Sequence, residues 1–290
     1  MIRGQREQFR YISVANNFLP LDALTKRNPF LKLIKKKPSM FFTFANRVVR
    51  ERLAKADKED TEAQVGEKQQ KRADDLLGSF IEARKNYPFM DEQRLTHLSA
   101  TNVLAGANSS ARAMDVTIHW LASHPEEQDR LYNEITSVNV GAMKDVETEG
   151  PAALELALKM PYLDAMIQES YRLFGAAANN LERVAGEAGI HLPNGVHLPP
   201  GTILCISPPA MAQLPNVYGD DAGTFRPSRW MKQESESEDD YHERVLLMRR
   251  SLIVFGHGSR SCIGKNLVQL ELYKLWATLL RTYKVSIRAT

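Results

Sequence analysis

Cysteine is scarce: the 290 residues hold two, Cys205 and Cys262. No disulfide framework follows, and a reducing compartment is implied. No apolar run is long enough to cross a bilayer, and the opening Met-Ile-Arg-Gly-Gln is no signal peptide. Charge of one sign is also missing. A net charge of +3 is too small to argue for nucleic acid, and the basic cluster Lys32, Lys35, Lys36 and Lys37 is broken by apolar residues and followed by Pro38. That cluster reads as a solvated loop able to face a membrane. Two glycine-rich signatures fail as well. Gly258 to Gly264 followed by Lys265-Asn266 has one residue too many for a phosphate loop and no hydroxyl, and Ser261 stands where a dinucleotide fingerprint needs its third glycine.

What is present is ordinary globular composition, 43% apolar and 25% charged, with one unusual stretch near the carboxyl end. Leu252, Ile253 and Val254 lead into Phe255-Gly256-His257-Gly258-Ser259-Arg260-Ser261-Cys262-Ile263-Gly264, after which a helix opens. Gly256 and Gly258 permit backbone conformations that a Cβ forbids, and Gly264 leaves room for a flat group against the first turn. The unpaired N–H groups and positive dipole end of a helix stabilise an anionic sulfur ligand, and sulfur suits a soft metal. Arg260 adds a fixed cation for a carboxylate of the same ligand. For Cys262 alone, a buried free thiol after a glycine turn is the default reading.

The stretch F-G-x-G-x-R-x-C-x-G resembles the haem-binding loop of the haem-thiolate monooxygenases, the cytochrome P450 family, in its fungal-like eukaryotic form. The resemblance implies haem b (iron protoporphyrin IX), with Cys262 as axial iron ligand, Arg260 on a propionate, and Phe255, Gly256 and Gly264 against the cofactor. It implies oxygen insertion from O2 into a small apolar substrate, with electrons from NADPH through an NADPH-cytochrome reductase. His257, at a variable position, reads as a surface or reductase-facing residue. The implied fold is mainly α, a partial P450 fold with a long central helix, a haem-loop helix and small β-sheets. On this reading residues 1–290 are one partial catalytic domain, lacking the amino-terminal anchor, first helices and sheet, and the carboxyl-terminal hairpin. The full-length type would sit on the cytosolic face of the endoplasmic reticulum membrane.

Other segments join this pattern. The proline-free stretch from Asp91 to about Ser123 predicts one long helix. Its middle, Ala105-Gly106-Ala107-Asn108-Ser109-Ser110, is small and polar, and close helix packing alone would account for it. It also resembles the family's oxygen-activating signature A-G-x-[DE]-T-[TS], with Asn108 in place of the acid and Ser109 in place of threonine. Glu169 and Arg172 are three apart, on one face of a predicted helix. Phe225-Arg226-Pro227-Ser228-Arg229-Trp230 is similar to the segment whose arginine joins that pair, so Glu169, Arg172 and Arg229 are expected to form a buried triad closed by loop carbonyls. Ala176, Ala177 and Ala178 fall where the family touches substrate, as does Ala105.

Further expectations concern scaffold. Residues 41–53 read as a helix, the charged run 51–71 as a solvated linker, and 75–81 as a short helix. Helices are expected from Pro125 to about Ile135, from Pro151, through 160–173, and over 265–282. Ile190 to Ser207 reads as a small antiparallel sheet with Cys205 as a core residue, Glu234 to Asp240 as a solvated loop, and Tyr283 to Ile287 as a last strand. Two further functions stay open: an inactive fragment that keeps the haem loop, and a haem-dependent isomerase or dehydratase. An amide cannot change charge to relay protons. If the monooxygenase reading holds, Asn108→Asp should raise the product formed per reduced nicotinamide consumed; tight coupling in the wild type would contradict it.

Overall fold

The structure, a computed structural model, describes residues 40–63, 75–138, 159–175 and 181–287. The alanines at 176–178, the basic cluster and the helix expected from Pro151 lie outside the described residues. Two compact units divide after Ala107.

In the first unit, α1 (Met40–Ala63) and α2 (Leu76–Ala83) precede the start of α3 (Glu92–Ser123), a helix that continues past the division. Phe41, Ala45, Val49 and Leu53 recur at helical spacing and are buried. Val49, Leu53, Met90 and Leu95 form one apolar cluster with Leu77, Phe80 and Ile81 packed against it. Asp75 caps α2 by accepting the Gly78 N–H at 2.7 Å, and Asp91 accepts the Arg94 N–H at 2.8 Å. The charged run does not interrupt the first helix as expected: α1 continues to Ala63, because alanine, glutamate and lysine are good helix formers. Nothing among the described residues comes within 4 Å of a Cβ built on Gly106, so close packing does not demand glycine there.

The second unit is built around α5 (Pro161–Phe174), in which every residue from Tyr162 to Arg172 except Asp164 is buried. The rest of α3, α4 (Pro125–Ser137) and α9 (Lys265–Thr282) pack with it: Leu121, Leu131, Ile135, Leu163, Met166, Ile167, Leu272 and Trp276 share one core. Each such side chain contributes about 1.5–3 kcal/mol on burial. Two hydroxyls sit inside this packing without cost, Thr117 Oγ1 and Ser170 Oγ lying 2.8 Å apart while each also bonds a carbonyl of its own helix. Glu134 of α4 closes the start of α5, its carboxylate accepting the N–H groups of Tyr162 (2.8 Å) and Leu163 (2.9 Å).

After α5 come two ribbons, β1 (Leu181–Val184) antiparallel to β4 (Ile203–Ile206), and β2 (Ile190–His191) antiparallel to β3 (His197–Leu198). Cys205 is exposed rather than in a core, because among the described residues β1 and β4 pair only with each other. Short helices α6 (Pro208–Met211) and α7 (Pro215–Tyr218) and a 3-10 turn (Pro227–Trp230) lead to α8 (Glu238–Ser251). The expected acidic loop is the start of α8: Ser237 Oγ accepts the Asp240 N–H at 3.1 Å, and Glu238, Asp239 and Asp240 occupy the positive first turn. No strand forms at 283–287; instead the buried Gln128 side chain donates to Val285 O (2.8 Å) and accepts its N–H (2.9 Å), doing what a neighbouring strand would.

Glu134→Ala should leave two N–H groups at the start of α5 without their acceptor. A loss of about 1–2 kcal/mol is expected by chemical denaturation, and no change in midpoint would contradict the capping role.

Candidate functional site

The residues 252–264 leave α8 and enter α9 through a closed loop. Gly256 and Gly258 both have φ of +66°, the left-handed region, and a Cβ on Gly256 would stand 3.4 Å from Arg260 O. The Cys262 N–H donates to Phe255 O at 2.7 Å and the Ser261 N–H to Gly258 O at 3.1 Å. The cysteine is thus displayed from a loop tied at both ends, just before the first turn of an 18-residue helix whose amino end has no side-chain cap.

The surface around that sulfur is unusual. Cys262 and Arg260 are exposed, and Arg260 carries no ion pair among the described residues. Ile263 is 98% and Leu267 58% exposed, a large apolar area next to a thiol and a cation. A Cβ at Gly264 would lie 3.9 Å from Cys262 Sγ, an ordinary contact, so the protein's own atoms do not require glycine there; a flat ligand on the sulfur would. One sulfur donor, one unpaired guanidinium and bare apolar surface fit an iron porphyrin with carboxylate arms. Among the described residues no cluster of three or more His, Cys, Asp or Glu offers a rival metal site.

Behind the loop, α5 holds it from one side. Phe255 is half-buried, edge-on to Tyr171 at 5.0 Å between ring centres. Gly175 is approached so closely that a Cβ there would fall 2.2 Å from Val254 Cγ2. The other face of α5 carries Glu169 and Arg172, 0% and 3% exposed, beside Arg229 at 2%. Arg172 donates to both Glu169 oxygens (2.7 and 2.9 Å) and Arg229 Nε to Oε1 (2.8 Å). The Arg226 N–H and the Trp230 indole add two more donors at 2.8 Å.

The two guanidiniums reach further acceptors: Arg172 the carbonyls of Ala212, Ala222 and Thr224, and Arg229 those of Tyr218, Asp221 and Thr224. Asp221 supplies a second carboxylate, 3.1 Å from Arg229 and 2.5 Å from Arg226. Burial would raise the Glu169 carboxyl, but the hydrogen bonds and charge of Arg172, the Arg226 N–H and Arg229 outweigh it and hold it below the usual range. Hydrogen bonds from Arg226, opposed by burial and helped by Arg229, hold Asp221 far below its own.

Asn108 and Ser109 are half-buried in α3. Their neighbour Ser110 is buried and donates to Glu271 Oε2 of α9 at 2.9 Å, joining the polar stretch to the helix that begins after Cys262. Sequence reasoning named Ser110 only as the end of the polar stretch and passed over Glu271, Asp221, the Arg226 backbone and the Trp230 indole. Of these last four, only the Phe-Arg-Pro-Ser-Arg-Trp segment carried a signal, for Arg226 and Trp230.

A family model for cytochrome P450 matches residues 7–290. The chain is 32% identical over 214 residues to the cytochrome P450 monooxygenase cfoH of Aspergillus candidus, covering 73% of this chain and 38% of that protein. It is 30% identical over 268 residues to the cytochrome P450 monooxygenase cicH of Emericella nidulans, covering 92% and 49%. Against the cytochrome P450 monooxygenase vrtE of Penicillium aethiopicum it is 26% identical over 282 residues, covering 96% and 52%. The chain therefore spans about half the length of the curated relatives it matches.

Both carboxyls have folded values below their unfolded ones, so the native state binds fewer protons. Their stabilisation is complete above the ordinary carboxylate range and is lost as pH falls through the lowered values. Arg229→Met should cost about 3–5 kcal/mol by leaving Glu169 short of a partner, and should flatten the fall in stability on acidification. Equal acid sensitivity in variant and wild type, followed by chemical denaturation from pH 7 to pH 3, would contradict this.

Proposed function

Because the chain belongs to the cytochrome P450 family, we propose that it is the haem-binding part of a haem-thiolate monooxygenase that inserts one oxygen atom from O2 into a small apolar organic molecule. The observation that carries the reading is Cys262, exposed at the start of α9 from a loop shaped by two left-handed glycines. When bound there, haem b supplies dioxygen activation, with thiolate ligation favouring cleavage of the O–O bond. Both compact units are parts of one catalytic domain on this reading, since the family match runs through them.

The chain's own residues then have distinct tasks. Cys262 supplies the sulfur ligand, and the Phe255 carbonyl fixes the cysteine backbone by accepting its N–H. Arg260 would pair with a propionate, while Phe255, Gly256 and Gly264 would lie against the cofactor. The Ser109 hydroxyl would donate or orient a proton, and Asn108 would hold water without carrying charge. Ala105 and the alanines at 176–178 are substrate-side positions. Glu169, Arg172 and Arg229 bind no ligand and hold the loop in place through α5. Electrons come from NADPH through a reductase, and a full-length protein of this type would sit on the cytosolic face of the endoplasmic reticulum membrane. Among the described residues no helix is long and apolar enough to cross a membrane.

A second reading is a chain that keeps the haem loop but does not turn over. Adding haemin and recording the reduced carbon monoxide difference spectrum separates ligation from activity. A strongly red-shifted Soret band is expected for the wild type and its loss for Cys262→Ser; an unaltered band in that variant would overturn the assignment. Turnover that proceeds without reductase and dioxygen would point to an isomerase or dehydratase.

A further inference from the structure

Away from the cysteine loop, one pair of metal-ligating side chains is set face to face by the backbone. His191 and His197 are cross-strand partners on β2 and β3, and both are exposed. Their imidazole centres lie 4.4 Å apart with planes tilted by 38°.

The hairpin explains why the rings meet. Leu192 donates to Val196 O at 2.8 Å, and Pro193-Asn194-Gly195 turns the chain, with Gly195 at a φ of +83°. Bonded and non-bonded rungs alternate in an antiparallel pair. The His191–His197 rung, next to the bonded Leu192–Val196 rung, is therefore the kind in which facing side chains stand closest. A second glycine seats one ring. Gly189 has a φ of +67°, and a Cβ there would lie 2.6 Å from His197 Nε2 and 2.5 Å from Leu198 O. Any other residue at 189 would push that imidazole off its seat.

Two imidazoles at this spacing have a definite chemistry. With metal–nitrogen bonds of about 2.0–2.1 Å, adjacent ligand nitrogens sit roughly 3 Å apart, a spacing compatible with ring centres 4.4 Å apart. Imidazole nitrogen selects Zn2+, Ni2+ or Cu2+ over the oxygen-seeking Mg2+ and Ca2+. The geometry points to a two-histidine clamp for such a borderline divalent cation, with water completing the coordination. An isolated two-stranded hairpin is marginal on its own, and a cation bridging its strands would pin it. The clamp is independent of haem: it uses neither Cys262 nor any residue of the 252–264 loop.

The test is titration of the full chain with Ni2+ by calorimetry and with Cu2+ by electron paramagnetic resonance. One site showing two coupled imidazole nitrogens is expected. His191→Gln and His197→Gln, exposed positions where glutamine keeps the strand backbone, should each weaken binding by at least about tenfold and leave one coupled nitrogen. His242→Gln, on the exposed side of α8, should change neither reading. A wild-type signal with a single imidazole nitrogen, or binding that neither hairpin substitution alters, would overturn the proposal.

Discussion

A single carboxylate with no access to water organises the second unit. Glu169 is fully buried, and an ion taken out of water is tolerated only if nearly every lone pair finds a donor. Here the donors come from four residues: Arg172 on its own helix, Arg229 and Trp230 on the 227–230 turn, and the Arg226 backbone. Each buried arginine then has to be satisfied in turn, so Ala212, Tyr218, Asp221, Ala222 and Thr224 wrap their carbonyls inward. A loop of irregular backbone becomes fixed because its carbonyls are needed. Through Tyr171 and Gly175 the same helix presses on Phe255 and Val254, so the cysteine loop inherits that rigidity.

What could be read ahead of the structure divides along local and non-local lines. The bounds of α3 and α9 were legible because proline-free periodicity and a glycine entry are local signals. The left-handed glycines of the cysteine loop were legible for the same reason. Glu169 and Arg172 share a face by spacing alone, and Arg229 needed the resemblance of its segment. Asp221 gave no signal, since its place depends on how an irregular loop closes. The acids at 238–240 were ambiguous: a solvated run and a capped helix start have the same composition, and only the Ser237 cap separates them. Cys205 was misread because alternation shows which strand face is apolar but not whether anything covers it.

The polar middle of α3 has a packing role of its own. Ser110 is buried and would be costly there without a partner; Glu271 provides one, from the helix that starts at the cysteine. That bond sets the long helix against α9 directly beside Asn108 and Ser109. An amide and a hydroxyl at those two places bind water well and carry no charge of their own. On the proposed function, the uncharged Asn108 and Ser109 next to that bond would limit how protons are relayed there.

The claim that the rest leans on is that the Glu169 network holds the cysteine loop in shape. Backbone hydrogen exchange at Cys262, whose N–H is tied to the Phe255 carbonyl, measures this directly when the wild type is compared with Glu169→Gln. Faster exchange at that amide, with the amides of α1 unchanged, is the result the account predicts; a Cys262 amide equally protected in both proteins would contradict it.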